Sequence, residues 1–139
     1  MSEAYTGGCA CGAIRYEAAG EPIAANHCHC RDCQQESGTG HGSFLSFLRD
    51  GLTITGTPAR WDMIADSGGV KTRNFCAKCG LAVFLSFADM PDFVAIRAAT
   101  LDDPKRFAPG FVSYAVRALE WDRVDQALPA FAGMPPGPQ

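Results

Sequence analysis

Short apolar runs rich in β-branched and aromatic residues recur along the chain, alternating with polar positions. Residues 13–17, 43–48, 52–55, 59–64, 71–75, 82–87 and 93–98 each fit this pattern, and Gly, Pro, Asp and Ser separate them. Alternation sends successive side chains to opposite faces of a pleated strand, so each run is expected to be a strand. Asp50-Gly51 is a hairpin-type turn signal between two of the runs, and Asp66-Ser67-Gly68-Gly69 reads as a turn or a mobile loop. No window sustains a 3.6-residue apolar stripe. One helical turn is expected after Leu101, where Asp102-Asp103 can cap and Pro104 can take the first helical position. Gln34-Gln35-Glu36 could begin another short helix. The fold class is therefore mainly β, with at most short helical turns. A single domain is expected to span residues 1–139, with the Pro- and Gly-rich end, 134–139, disordered.

Composition narrows the function classes. A hydrophobic fraction of 47% and a charged fraction of 19% are those of an ordinary globular chain. The net charge of −3 provides no basic field to attract nucleic acid or an anionic membrane. The segment Met1-Ser2-Glu3-Ala4-Tyr5 has neither the cationic nor the apolar region of a secretory signal, and no apolar run approaches a membrane span. A cytoplasmic location is expected. There, reducing conditions disfavour structural disulfides, and the odd cysteine count of 7 would leave one thiol over. Clustered cysteines in such a setting point to metal, above all zinc.

The thiols fall into three groups: Cys9-Ala10-Cys11, Cys28-His29-Cys30-Arg31-Asp32-Cys33 and Cys76-Ala77-Lys78-Cys79. Zinc takes four protein ligands in a closed structural site and three plus an open position in a functional one. Glycine follows the second thiol in two of the groups, at Gly12 and Gly80, but not after Cys33. Such a glycine lets the backbone turn through positive φ and aim amide N–H groups at sulfur. The expected partition is a closed site on Cys9, Cys11, Cys76 and Cys79 and an open one on Cys28, Cys30 and Cys33. Two zinc ions per chain follow. His29, between two ligands, should point away from the ion. His27 and His41 are nearer to plausible fourth ligands, although each reads better as a surface or hydrogen-bonded histidine.

With Gly7-Gly8-Cys9-Ala10-Cys11-Gly12, the strand residues Ile14-Arg15-Tyr16, the Cys28–Cys33 run and Asn74-Phe75-Cys76-Ala77-Lys78-Cys79-Gly80, the sequence resembles the glutathione-dependent formaldehyde-activating enzyme (S-(hydroxymethyl)glutathione synthase) family. The resemblance spans residues 5–131. It implies a β-tent fold, two layers of antiparallel strands pinned by zinc, with the same four-plus-three division of ligands. It also implies formation and reversal of the carbon–sulfur bond between glutathione and formaldehyde. Cys28, Cys30 and Cys33 would then be the catalytic set.

Glutathione carries two carboxylates and one ammonium. Arg31, beside the triad, could pair with a carboxylate through a bidentate fork. Arg73 and Lys71 lead into the segment ending at Cys76 and could hold the other, though Lys71 reads better as a solvated surface charge. Asn74 and Phe75 could shape a pocket wall. Asp32 is either a proton acceptor near the metal or a surface turn residue. Two other readings stay open: a non-catalytic zinc module that binds a protein partner or buffers a thiol adduct, and a redox switch on the triad. The sequence leaves the oligomeric state open.

Overall fold

The structure is a computed structural model that describes residues 3–136. Ten strands and one helix follow one another: β1 (Tyr5–Gly8), β2 (Arg15–Ala18), β3 (Ala24–Cys28), α1 (Arg31–Ser37), β4 (Gly42–Leu48), β5 (Leu52–Thr55), β6 (Ala59–Ile64), β7 (Val70–Phe75), β8 (Ala82–Phe87), β9 (Phe93–Arg97) and β10 (Phe111–Ser113). The chain is mainly β, as the alternation of apolar and polar positions predicts. All seven expected runs are strands, within one or two residues at their ends. The expected turn after Leu101 is the 3₁₀ turn Pro104–Arg106, where the Asp103 side chain accepts from Lys105 N. Of the expected disordered end, 134–136 is irregular chain and 137–139 lie outside the described residues.

The strands form two sheets, one in the order β1-β2-β5 and one in the order β10-β3-β4-β9-β8-β7-β6. Every pairing is antiparallel except β10 with β3, which is parallel and corrects the expectation of purely antiparallel layers. Asp50-Gly51 is not a hairpin turn. It lies in the 3₁₀ turn Arg49–Gly51, which carries the chain from β4 in the large sheet to β5 in the small one, where Leu52 pairs with Ala18. Asp66-Ser67-Gly68-Gly69 does close a hairpin, between β6 and β7, with Ala65 N donating to Gly69 O at 2.8 Å.

Side-chain alternation gives the large sheet two different faces. Leu45, Phe47, Val94 and Ile96 point toward the small sheet and pack with Tyr5, Tyr16, Ala18 and Leu52 in the main core. Phe44, Leu85 and Ala95 point the other way and pack with Cys28, Cys30 and Cys33. Burying each large apolar side chain contributes roughly 1.5–3 kcal/mol before conformational entropy is counted. The small sheet approaches closely because β1 ends in two glycines. A Cβ at Gly7 would stand 2.2 Å from Thr100 O and 2.3 Å from the Tyr16 hydroxyl.

Strands β1, β3 and β10 were not expected from the pattern, because Tyr-Thr-Gly-Gly, Ala-Ala-Asn-His-Cys and Phe-Val-Ser carry little apolar alternation. Helix α1 begins at Arg31, earlier than Gln34-Gln35-Glu36 suggested. Cys30 is its N-cap, its sulfur accepting from Cys33 N at 3.4 Å, and Gly38 ends it in the left-handed region at φ 77.

Candidate metal centre

Two tight turns build the four-thiol group. One joins β1 to β2 and the other joins β7 to β8, so the group lies where the small sheet meets the large one. The turns repeat one plan: Cys9 N donates to Ile14 O and Cys76 N to Leu81 O, each at 3.0 Å. Gly12 at φ 82 and Gly80 at φ 80 supply the left-handed residue that each turn needs. Backbone amides then face the sulfurs. Ile14 N stands 3.2 Å from Cys9 Sγ, and Lys78 N and Cys79 N stand 3.3 and 3.4 Å from Cys76 Sγ.

The four sulfurs lie within 4.8 Å of one another. Cys9 and Cys11 are 3.7 Å apart, Cys11 and Cys76 3.6 Å. A tetrahedral zinc with bonds of about 2.3 Å separates its sulfurs by about 3.8 Å, so this donor set fits that ion. Hydrogen bonds from Leu81 and Cys11 backbone amides hold the Cys79 thiol down to about 6, so a thiolate is favoured there before any metal binds.

Cys28 at the end of β3, Cys30 at the cap of α1 and Cys33 in its first turn form the second group, also within 4.8 Å and all buried. Cys30 and Cys33 sulfurs are 3.2 Å apart. Among the described residues no His, Asp or Glu completes the set. Hydrogen bonds from Cys30 and Cys33 hold the Cys28 thiol down to about 3, and the same contacts raise Cys33. Three buried thiols this close together suit a cation, which enters by displacing their protons.

Lys71 corrects an expectation. It is not a solvated surface charge but 7% exposed, with its ammonium 3.2 Å from Asp32 of α1. Burial pushes the Lys71 pKa down, yet the negative charges of Cys30, Cys33 and Asp32 more than reverse this and leave it raised. Asp32 is thereby a helix residue paired to lysine rather than a turn residue. Two positions along β7, Arg73 Nε stands 3.1 Å from Glu36 Oε1, and Arg97 Nη2 of β9 stands 3.0 Å from the same oxygen. Those three atoms and Glu36 Oε2 are buried without an aligned hydrogen bond, so the trio is held by charge at close range. Two guanidinium groups against one carboxylate leave an excess of positive charge beside the triad.

The remaining residues fall as follows. Arg31 is exposed and donates to Gln34 Oε1 at 3.1 Å. Asn74 lies on the opposite face of β7 from Lys71 and Arg73. Its amide donates to Thr72 O, Phe84 O and Ser86 Oγ, so it serves the sheet on the main-core side. Phe75 is half-buried at the bulge between β7 and β8. Glu36 and Arg97 were not anticipated, because nothing local marks a surface-type residue that a distant strand will cover. His27 and His41 stand with Ser43 and Asp122 respectively, apart from the thiols.

The profile of the family described as glutathione-dependent formaldehyde-activating enzyme matches residues 4–117, which hold both thiol groups. The chain belongs to this family. A solved crystal structure of a Rhodobacter sphaeroides protein is similar, with a TM-score of 0.56 and 18% identity over 72% of this chain and 92% of that one. At that identity the likeness concerns the fold. No curated protein matches. The family name connects the chain with glutathione- and formaldehyde-related activity, and both of its cysteine clusters could hold a metal. No described helix is long and apolar enough to cross a membrane.

Proposed function

We propose that the protein is a zinc-dependent carbon–sulfur lyase that joins glutathione, or a similar small thiol, to formaldehyde or a similar small aldehyde, and reverses the step. The observation that carries this reading is the buried triad Cys28, Cys30 and Cys33, three donors without a fourth among the described residues, with Lys71 beside them. In it, bound zinc would hold an incoming thiol as its thiolate, while zinc on Cys9, Cys11, Cys76 and Cys79 would be structural. Cysteine clusters that would hold metal as thiolates suit a reducing compartment such as the cytoplasm.

The chain's own residues contribute charge and position. A divalent ion with three thiolates carries a formal charge of about −1, which Lys71 offsets. As the carbon–sulfur bond forms, the sulfur lone pair attacks the aldehyde carbon and the C=O π pair moves to oxygen. The Lys71 ammonium, on the same face of the sheet, is the proton donor for that oxygen. The proton given up by the thiol restores the lysine by way of Asp32 and solvent. Arg73 and Arg97, carrying the excess positive charge over Glu36, suit a carboxylate of the thiol substrate, and Arg31 suits the second. The catalytic demand is modest, since aldehydes add to thiols unaided, and most of the gain is positional.

Exchange spectroscopy on glutathione–formaldehyde mixtures tests this. Zinc-loaded protein should raise the rate of adduct formation above the uncatalysed rate, and Lys71→Met should remove about 10- to 100-fold of the acceleration. Equal rates with and without the protein would refute the enzyme and leave a zinc-bearing binding module.

A further inference from the structure

The sequence contains three histidines, and the fold gathers all of them at one end of the large sheet. The His27 and His41 rings are 4.8 Å apart between centroids, and the His29 and His41 rings 5.6 Å. His27 leads away, its Nδ1 hydrogen-bonded to Ser43 Oγ at 2.8 Å. His29 and His41 instead converge on one carboxylate. His41 Nδ1 donates to Asp122 Oδ2 at 2.6 Å, and His29 Nδ1 stands 3.9 Å from that same oxygen. One donor atom from each of His29, His41 and Asp122 can be chosen so that all lie within 4.8 Å.

The surroundings hold these groups in place. Thr39 Oγ1 donates to the other Asp122 oxygen at 3.0 Å, and His29 Nδ1 is 3.1 Å from Gly40 O. Gly40 has no side chain where one would collide, since a Cβ there would lie 2.6 Å from Asp122 Oδ2. The side chains are 2%, 18% and 10% exposed for His29, His41 and Asp122. A cleft of about 200 Å³ opens on this cluster, bordered by His29 and Asp122 and walled by Leu119, Arg123, Val124 and Gln126. That is room for a cation with water or a small ligand completing its coordination.

We propose that His29, His41 and Asp122 form a third cation site, separate from both thiol groups, for a divalent first-row transition metal with its remaining positions facing the cleft. Two imidazoles and a carboxylate, without sulfur, suit zinc, iron(II), cobalt(II) or nickel(II), and do not suit soft copper(I). The proton between His41 and Asp122 occupies the place of the cation. On binding, the His41 ring takes the tautomer that carries its proton on Nε2, and the two donor atoms move from 2.6 Å to the separation of about 3 Å that bonds of about 2.1 Å require. Thr39 and Gly40 then act as the outer supports that orient the carboxylate and the His29 ring.

The test uses the full chain loaded with two equivalents of zinc, which the thiolates take first, freed of excess and then titrated with cobalt(II) alone. Zinc outranks cobalt on the thiolates, so added cobalt reports other sites. One further equivalent should bind, giving weak visible bands and no new sulfur-to-cobalt charge transfer. His41→Ala and Asp122→Asn should lose that equivalent and retain the zinc of the thiol groups, which also shows that they fold. In the wild-type protein, ¹⁵N resonances of the His29 and His41 rings should shift or broaden on cobalt addition while those of His27 move less. No cobalt bound beyond the thiol sites, or cobalt bound equally by wild type and both variants, would overturn the proposal.

Discussion

Cys76→Ala should cost the protein most of its stability. Cys76 is 1% exposed, and its sulfur accepts from two backbone amides in the turn that ties β7 and β8 to the small sheet. Closed zinc sites contribute on the order of 10 kcal/mol at neutral pH, comparable with the whole net stability of an ordinary domain. The three thiols left, Cys9, Cys11 and Cys79, would hold an ion more weakly, and with the ion goes its cross-link between the two turns. A drop of 10 °C or more in the midpoint of thermal unfolding, on the order of several kcal/mol, is expected, together with loss of one zinc equivalent. Chelation of the wild-type protein should lower its midpoint by a similar amount. A Cys76→Ala protein that melts within two or three degrees of wild type would mean that the four thiols are packing rather than a cross-link.

Cys28→Ala should have the opposite profile, abolishing acceleration of the glutathione–formaldehyde reaction and sparing the fold. Cys28 ends β3 and serves no helix cap, so its removal costs only a small cavity and one donor, about 1 kcal/mol. Cys30 is a less clean choice. Its sulfur also accepts from Cys33 N at the start of α1, so Cys30→Ala removes a cap worth about 1 kcal/mol along with the ligand. Loss of the triad's metal with the closed-site metal retained, a midpoint within a few degrees of wild type and a rate equal to the uncatalysed one are the expected results. Unchanged acceleration in Cys28→Ala would remove the triad from the chemistry.

The contrast between these variants rests on features that differ in how visible they are in the sequence. The strands β4, β5 and β7 to β9 are legible because each buries at least part of one face, and burial requires apolar and branched side chains at the right period, while the largely exposed edge strand β6 is legible only from its run of apolar and aromatic residues. Strand β1 is not, since its glycines are there to let Thr100 and Tyr16 approach. Strand β3 is not, because its side chains serve the triad and the histidine cluster instead of the core. The division of thiols is legible through Gly12 and Gly80, whose positive φ is a local demand of the turn itself.

What surrounds the triad is not local. Lys71 and Arg73 look like exposed charges on a strand until α1 is laid across that face with Asp32 and Glu36. Arg97 joins them only because β9 neighbours β8, which neighbours β7. Likewise Asn74, placed with Arg73 by adjacency in sequence, goes to the other side of the sheet by the alternation of the strand. Asp122 meets His29 and His41 across most of the chain's length, and no spacing rule would join them.

The central claim is that one thiol group is closed and the other can admit an outside thiol. Cadmium-113 resonance of the cadmium-substituted protein, recorded before and after adding glutathione, tests it most directly. Two resonances in the sulfur-ligand region are predicted, one unmoved by glutathione and one shifted by it, with the shifted one absent in Cys28→Ala. A single sulfur-region resonance, or two that both ignore glutathione, would contradict the division into a closed and an open site.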